Sequence, residues 1–295
     1  MHPAVRRWLD DLSREGKSEK TIRAYESDLR LFARWFEESY AQSFDPSSVI
    51  PRDIADYKAH LLTVRRASPS TVNRKLAALS RFFKWAVSQG YARTDATEGV
   101  RGLRKERLKP RALSPQELRR FLRAVHRGGN LRDIALVELL VGTGLRASEL
   151  LSLTRGDISL SKRSGFLTVR QGKGGTHRRV PIPAPARKAL REYLEAHHDM
   201  GPDDPLWVGQ RGPLASESGL YRLVAKYARR AGIPEFGPHT LRHTFASRYL
   251  AANPGDLRGL ASLLGHASLN TVMIYTEPTS EALAERVERI EQVTG

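Results

Sequence analysis

The sequence predicts a mainly α-helical protein with one small antiparallel β-sheet, organised as two domains. Three observations lead there. Apolar residues recur at three- and four-residue steps through the first third of the chain. A segment rich in charge, Gly and Pro and lacking helical period follows at 99–113. Only between 156 and 183 does the pattern become one of short strands joined by turns.

In chain order, SEKTIRAYESDLRLFARWF (18–36) reads as a helix with Ser18 as N-cap and Ile22, Tyr25, Leu29, Phe32 and Phe36 on one face. Residues 51–64 begin a second helix, with Pro51 in its first turn. A third, 70–89, stops at Gly90. Its apolar face carries Val72, Leu76, Leu79, Phe83 and Ala86, which leaves Asn73, Arg74, Lys75, Arg81 and Lys84 to a basic surface. Residues 1–98 therefore form an all-helical domain, 99–113 a basic linker, and 114–295 a second domain. Ser114, Pro115 and Glu117 open that domain with an N-cap, a first-position proline and an acid at the third position. The helix at 131–141 is almost wholly apolar and so central, and Gly144 supplies a left-handed cap after it. GDISL, GFLTVRQ and HRRVPIP are the strands, with GKGG (172–175) between the last two, and the chain is then helical to its end. There, 279–292 has Ser280 as cap and Leu283, Val287 and Ile290 on one side.

Composition narrows the function. The 295 residues hold 49 Lys and Arg against 32 Asp and Glu, a formal charge of +17, with a pI near 10.5. The excess is concentrated: residues 1–64 carry 10 basic and 11 acidic side chains, residues 65–111 carry 13 and 3. Such a stretch suits a polyanion, because Lys and Arg displace counterions condensed on a phosphate backbone; a solubilising surface is the alternative. With no cysteine, disulfides and thiolate metal sites are excluded. No apolar run is long enough to span a membrane. MHPAVRRWLDDL has no signal-peptide core, so a cytoplasmic location is expected.

Five pieces hold the candidate chemistry: GTGLRASEL (142–150), QGKGGTHRRVPIP (171–183), HTLRHTFAS (239–247), LGHASLNTV (264–272) and IYTEPT (274–279). His239 and Arg242 share a helical face and can clamp one anion, or form a plain surface pair. His239 and His243 also have a zinc-like spacing, without a following acid or a third ligand nearby. Arg146 follows a turn, where a cation also suits a helix C-terminus, and Glu149 can brace its guanidinium. GKGG is not a phosphate loop, since a strand follows it; it places Lys173 at a hairpin tip. Tyr275 is either a core aromatic or a phenol aimed at a substrate.

In order and spacing together, these pieces resemble the tyrosine recombinase (integrase) family, in its compact two-domain XerC/XerD-like branch, over essentially the whole chain. The resemblance implies a SAM-like helical DNA-binding domain at 1–98 and a catalytic domain at 114–295. It also implies a catalytic set of Arg146, Lys173, His239, Arg242, His266 and the nucleophile Tyr275, with Glu149 supporting. The activity implied is site-specific recombination of duplex DNA through a covalent 3′-phosphotyrosine and a Holliday junction, without metal, cofactor or ATP. A non-catalytic DNA-binding regulator and a type IB topoisomerase are the alternatives. Implied partners are double-stranded DNA with a short inverted-repeat core site and a second recombinase or further copies of the chain, in a tetrameric synapse, with no membrane; the implied location is the nucleoid. The helix at 279–292 docks on a neighbouring subunit in this reading, or on its own domain. TEPT after Tyr275 departs from chromosome-dimer resolvases, which puts the biological role in doubt rather than the chemistry.

The residues support that chemistry independently. A phenol of reference pKa ~10 is a better nucleophile beside cations that favour its anion. Guanidinium forks match the non-bridging oxygens of a phosphoryl transition state as an ammonium does not. DNA contacts are expected from Asn73, Arg74, Lys75 and Arg81 in the first domain. In the second, Arg222, Lys226 and Arg229 form one stripe of a helix at 218–230 of the kind that enters a major groove, a solvated face being the alternative for each stripe.

Overall fold

The computed structural model describes residues 1–104, 111–170, 177–209, 212–213 and 216–265. The chain divides into two compact units, Met1–Leu108 and Lys109–Gly295.

In the first unit, α1 (Pro3–Arg14) precedes the expected helices. It is an element the sequence reading does not assign, although Val5, Trp8, Leu9 and Leu12 bury one face of it. Then come α2 (Glu19–Tyr40), α3 (Pro51–Thr63) and α4 (Pro69–Ser88). Ser18 caps α2 as expected, its hydroxyl accepting from the Thr21 N–H at 3.3 Å. Leu29, Phe32 and Phe36 point from α2 into the core. Phe32 is fully buried, with the rings of Tyr57, Phe44 and Phe83 standing edge-on to it at 5.1, 5.8 and 6.4 Å.

The basic face of α4 needs correction. Lys75 is buried, with its ammonium 2.9 Å from Asp28 Oδ1. Asn73 is half-buried and spends its amide on backbone: Nδ2 donates to Leu103 O at 2.8 Å and Oδ1 accepts from Leu103 N at 2.7 Å. Lys75 is therefore not on the exposed basic surface. Position 75 follows Val72 by three residues and so shares its buried stripe; the partner that makes burial tolerable, Asp28, comes from α2. Arg74 also pairs with Asp28 but stays half-exposed, and Arg81 reaches Glu15 at 3.0 Å. Residues 101 and 103 are held to this unit by Lys58 and Asn73.

The second unit starts with α5 (Pro115–Arg127), where Ser114 and Glu117 exchange both capping hydrogen bonds, at 3.2 and 2.9 Å. α6 (Leu131–Thr143) is the central helix, with Ile134–Val141 buried throughout. Its two buried acids have partners: Asp133 accepts from Tyr227 Oη at 2.8 Å, and Glu138 lies 2.7 Å from His126 Nε2. After the short α7 (Ala147–Leu151) come β1 (Ile158–Leu160), β2 (Gly165–Arg170) and β3 (His177–Pro181), an antiparallel sheet in sequence order. Leu167 pairs with both Ile158 and Val180, and all three enter the core beside α6. α8 (Ala184–Glu195) follows. The expectation of helix from there onward is corrected by a two-residue ladder, β4 (Val208–Gly209) with β5 (Gly212–Pro213). Helices α9 (Glu217–Arg230), α10 (Pro238–Ala252) and α11 (Leu257–Leu264) complete the described part.

One glycine fixes how α6 ends. Gly144 has φ +64, and a β-carbon on it would meet the ring of Phe245 and come within 2.9 Å of Leu264 Cδ2. Gly144→Ala combines left-handed strain with overpacking, together about 2–5 kcal/mol. Urea unfolding is expected to show a lower midpoint at unchanged slope.

Candidate active site

The end of α6, the start of α7, strand β3, the first turn of α10 and the end of α11 converge. Gly144 turns the chain out of α6, and Arg146 takes the N-cap position of α7 with extended backbone. Its N–H donates to Glu149 Oε2 and its Nη1 to Glu149 Oε1, both at 2.8 Å. The brace expected of Glu149 is therefore present.

Helix ends leave carbonyls without intrahelical donors. At the end of α11 three arginines supply them. Arg178 Nε donates to Leu263 O at 3.1 Å; Arg146 donates to Leu264 O at 3.3 Å and to Gly265 O at 3.2 Å. Arg242, buried on α10, donates to Leu264 O at 2.9 Å and to Gly144 O at 2.6 Å, joining the ends of α11 and α6. Arg146 and Arg242 thus meet on one carbonyl oxygen. Gly265, at φ +63, is needed here because a β-carbon would lie 2.5 Å from Arg178 Nη1.

Sequence reasoning misses Arg178. It donates to Glu149 through Nη1 at 3.0 Å and Nη2 at 2.8 Å, with both side chains largely buried. The signal lies in HRRVPIP: a strand alternates faces, so Arg178 points the same way as Val180 and Ile182, which are buried. Burial alone would raise the Glu149 carboxyl; the hydrogen bonds from Arg178 and the Arg146 backbone, with the charge of Arg178 and a hydrogen bond from the Arg146 side chain, overcome it and hold the group at about 2. Its folded value is depressed, so the stability it contributes is present above its unfolded value of about 4.3 and is lost as pH falls towards 2. That contribution is on the order of 3 kcal/mol. Arg178→Ala removes the hydrogen bond that lowers this carboxyl most. Acid unfolding followed by circular dichroism is then expected to begin at higher pH than in the parent chain.

His239 is exposed, one turn before Arg242 on α10. His243 is half-buried, and burial, then the charges of His239 and Arg242, push its imidazole below the ordinary value. Among the described residues no group of three or more His, Cys, Asp or Glu converges to hold a metal ion. Lys173, His266 and Tyr275 lie outside the described residues, as does the segment 279–292. On α9, Arg222 is exposed, Lys226 sits 3.5 Å from Asp133 Oδ2 and 4.4 Å over the Tyr227 ring, and Arg229 pairs with Glu235. Among the described residues no helix is long and apolar enough to cross a membrane.

Residues 111–282 match the phage integrase family, and residues 5–90 match the phage integrase N-terminal SAM-like domain. The chain is 36% identical to the tyrosine recombinase XerA of Pyrococcus furiosus, over 94% of this chain and 90% of that protein. It is 34% identical to the tyrosine recombinase XerC of Thermodesulfovibrio yellowstonii, over 92% and 90%. Among solved structures it resembles the XerH site-specific recombinase bound to palindromic difH substrate in a post-cleavage complex, with TM-score 0.73 and 25% identity over 92% of this chain and 80% of that one. The chain belongs to the phage integrase family and is an enzyme of its tyrosine site-specific recombinase class.

Proposed function

We propose that this recombinase cuts and rejoins duplex DNA at a specific site through a covalent 3′-phosphotyrosine on Tyr275. The phenol gives up its proton to an imidazole of the set as its oxygen attacks phosphorus, the bond to the 5′-oxygen breaks, and the leaving oxygen takes a proton from Lys173. Rejoining reverses the step: a 5′-hydroxyl attacks the phosphotyrosine and the phenol departs. The phosphotyrosine retains the energy of the broken phosphodiester, so no ATP is consumed. Exchange between two duplexes proceeds through a Holliday junction, within a tetramer of this chain or with a second recombinase, on a core site of inverted repeats.

Arg146 and Arg242 bind the non-bridging oxygens in this reading, His239 and His266 add imidazoles, and Glu149 with Arg178 positions Arg146. The observation that carries it is the meeting of Arg146 and Arg242 on Leu264 O, at 3.3 and 2.9 Å. Two guanidiniums held that close by fixed carbonyls suit two oxygens of one phosphate. Donors preorganised in this way stabilise the charge that develops in a phosphoryl transition state without reorienting as it forms. In this reading they do the work that divalent ions do in other phosphoryl-transfer enzymes. The XerH complex with its difH substrate supports DNA as the partner.

Duplexes selected by binding from a random pool, then nicked near the expected cut, provide the test. An SDS-resistant protein–DNA adduct is expected, undiminished in excess EDTA. No adduct on any selected duplex overturns the covalent reading; loss of the adduct in EDTA overturns its metal independence. Relaxation of plasmids lacking a selected site points to a topoisomerase instead.

A further inference from the structure

Glu149 poses an electrostatic problem for a phosphate site. A carboxylate bonded to Arg146 holds that guanidinium in place, but it also cancels the charge a phosphate would use and repels the phosphate itself. The carboxyl is held at about 2, so near neutral pH this negative charge is always present. Arg178 shares the same group. Its Nη1 donates to Oε1 at 3.0 Å and its Nη2 to Oε2 at 2.8 Å, a fork matched to both oxygens. With the N–H and Nη1 of Arg146, the donors then fill the roughly four lone-pair sites of one carboxylate.

The two arginines are not equivalent. The side chain of Arg178 is 12% exposed and that of Arg146 36%, so Arg146 is the one a ligand can approach. Arg178 also spends its Nε on Leu263 O at 3.1 Å. Its backbone is fixed in β3 opposite Val169, one strand step before the buried Val180 on the same face. Glu149 is the one carboxylate in the described contacts of Arg146 and Arg178. Arg178 and Glu149 together are neutral, which leaves Arg146 its full positive charge. Without Arg178, the neutral pair would be Glu149 with Arg146.

We infer that Arg178 is a charge-balancing positioning residue of the cleavage step: it absorbs the charge of Glu149, so that Glu149 orients Arg146 without neutralising it. The inference rests on the reading above in which Arg146 binds a non-bridging oxygen. Arg178 touches no reacting atom and acts through Glu149 and Arg146.

Its test is single-turnover adduct formation on a selected, nicked duplex with either an ordinary phosphate or one methylphosphonate at the cut. A methylphosphonate replaces one charged non-bridging oxygen by a methyl group, so it asks less positive charge of the protein. Arg178→Gln keeps a hydrogen-bond donor and loses the charge. Its rate on phosphate is expected to fall about 10–100-fold, below the ~10²–10³ of a donor in direct contact, with duplex affinity in gel shift within about threefold. On at least one methylphosphonate diastereomer the loss should shrink to about threefold, because the charge that Arg146 meets in the transition state is smaller. Adding Glu149→Gln to Arg178→Gln should raise the phosphate rate again, since the unbalanced carboxylate is then gone. Arg178→Lys keeps the charge without the fork and should stay within about fivefold of the parent chain on phosphate.

Thermal melting checks the fold of each variant. Equal losses for Arg178→Gln on both duplexes, or a double variant no faster than the single one, assign Arg178 a structural role alone and overturn the proposal. Parent-like cleavage of phosphate by Arg178→Gln overturns it as well. If Arg178→Gln does not fold, Arg178→Lys decides: a loss above about tenfold, equal on phosphate and methylphosphonate, overturns the proposal. No adduct from the parent chain on phosphate overturns instead the phosphotyrosine reading on which the inference rests.

Discussion

Tyr275→Phe is expected to abolish the covalent adduct on a nicked duplex while duplex affinity stays within about a factor of two. Removing one hydroxyl deletes the proposed nucleophile and little else: the ring, its volume and the charge of the protein are retained. No other group of the proposed set replaces a phenol in this chemistry, since the guanidiniums stay protonated and imidazole or ammonium adducts of phosphorus are acid-labile. The expected result is binding in gel shift with no SDS-resistant species at any time. A covalent product from the Phe variant overturns the assignment of Tyr275, and wild-type binding without any adduct from the parent chain favours a regulator built on the same fold.

Arg242→Ala carries the second large effect, because one buried guanidinium joins two helix ends. Without it Gly144 O loses its 2.6 Å donor, while Leu264 O keeps, among the described side chains, the longer bond from Arg146. A buried acceptor left unpaired costs about 1–3 kcal/mol, so urea unfolding should show a clear loss of stability. Single-turnover cleavage, measured where the variant is still folded, is expected to fall by about 10²–10³. Arg242→Lys should recover little of either. An ammonium is a point charge, and it cannot donate along both carbonyl directions and present a planar fork to a phosphate. Cleavage restored to the parent rate by Lys would mean that charge alone is needed at this position.

How much of this is legible before folding depends on the reach of each interaction. Ser18, Ser114 with Glu117, and Gly144 are readable because a cap or a left-handed turn is decided within about one turn of chain. The Arg146–Glu149 brace is readable for the same reason, at three residues' separation. Lys75 is not. Its burial depends on Asp28, 47 residues earlier, and without that partner a lysine belongs in solvent. The partner of Asn73 is out of local reach for a related reason, since it is the backbone of Leu103, 30 residues on. Arg178 is half-legible: alternation in β3 shows that it faces inward, but nothing local shows Glu149 and Leu263 waiting there.

By itself, the sequence determined the helical periods, the caps, the basic character of the chain and the ordered set of residue types that marks the recombinase family. Only the tertiary structure decided which of the cations are available to a ligand. It placed Arg146, Arg178 and Arg242 on the carbonyls that end α11 and withdrew Lys75 into an ion pair. The reason is physical: local geometry is written in neighbours a few residues apart, whereas desolvation and pairing of a charge depend on groups that only folding brings within hydrogen-bond distance.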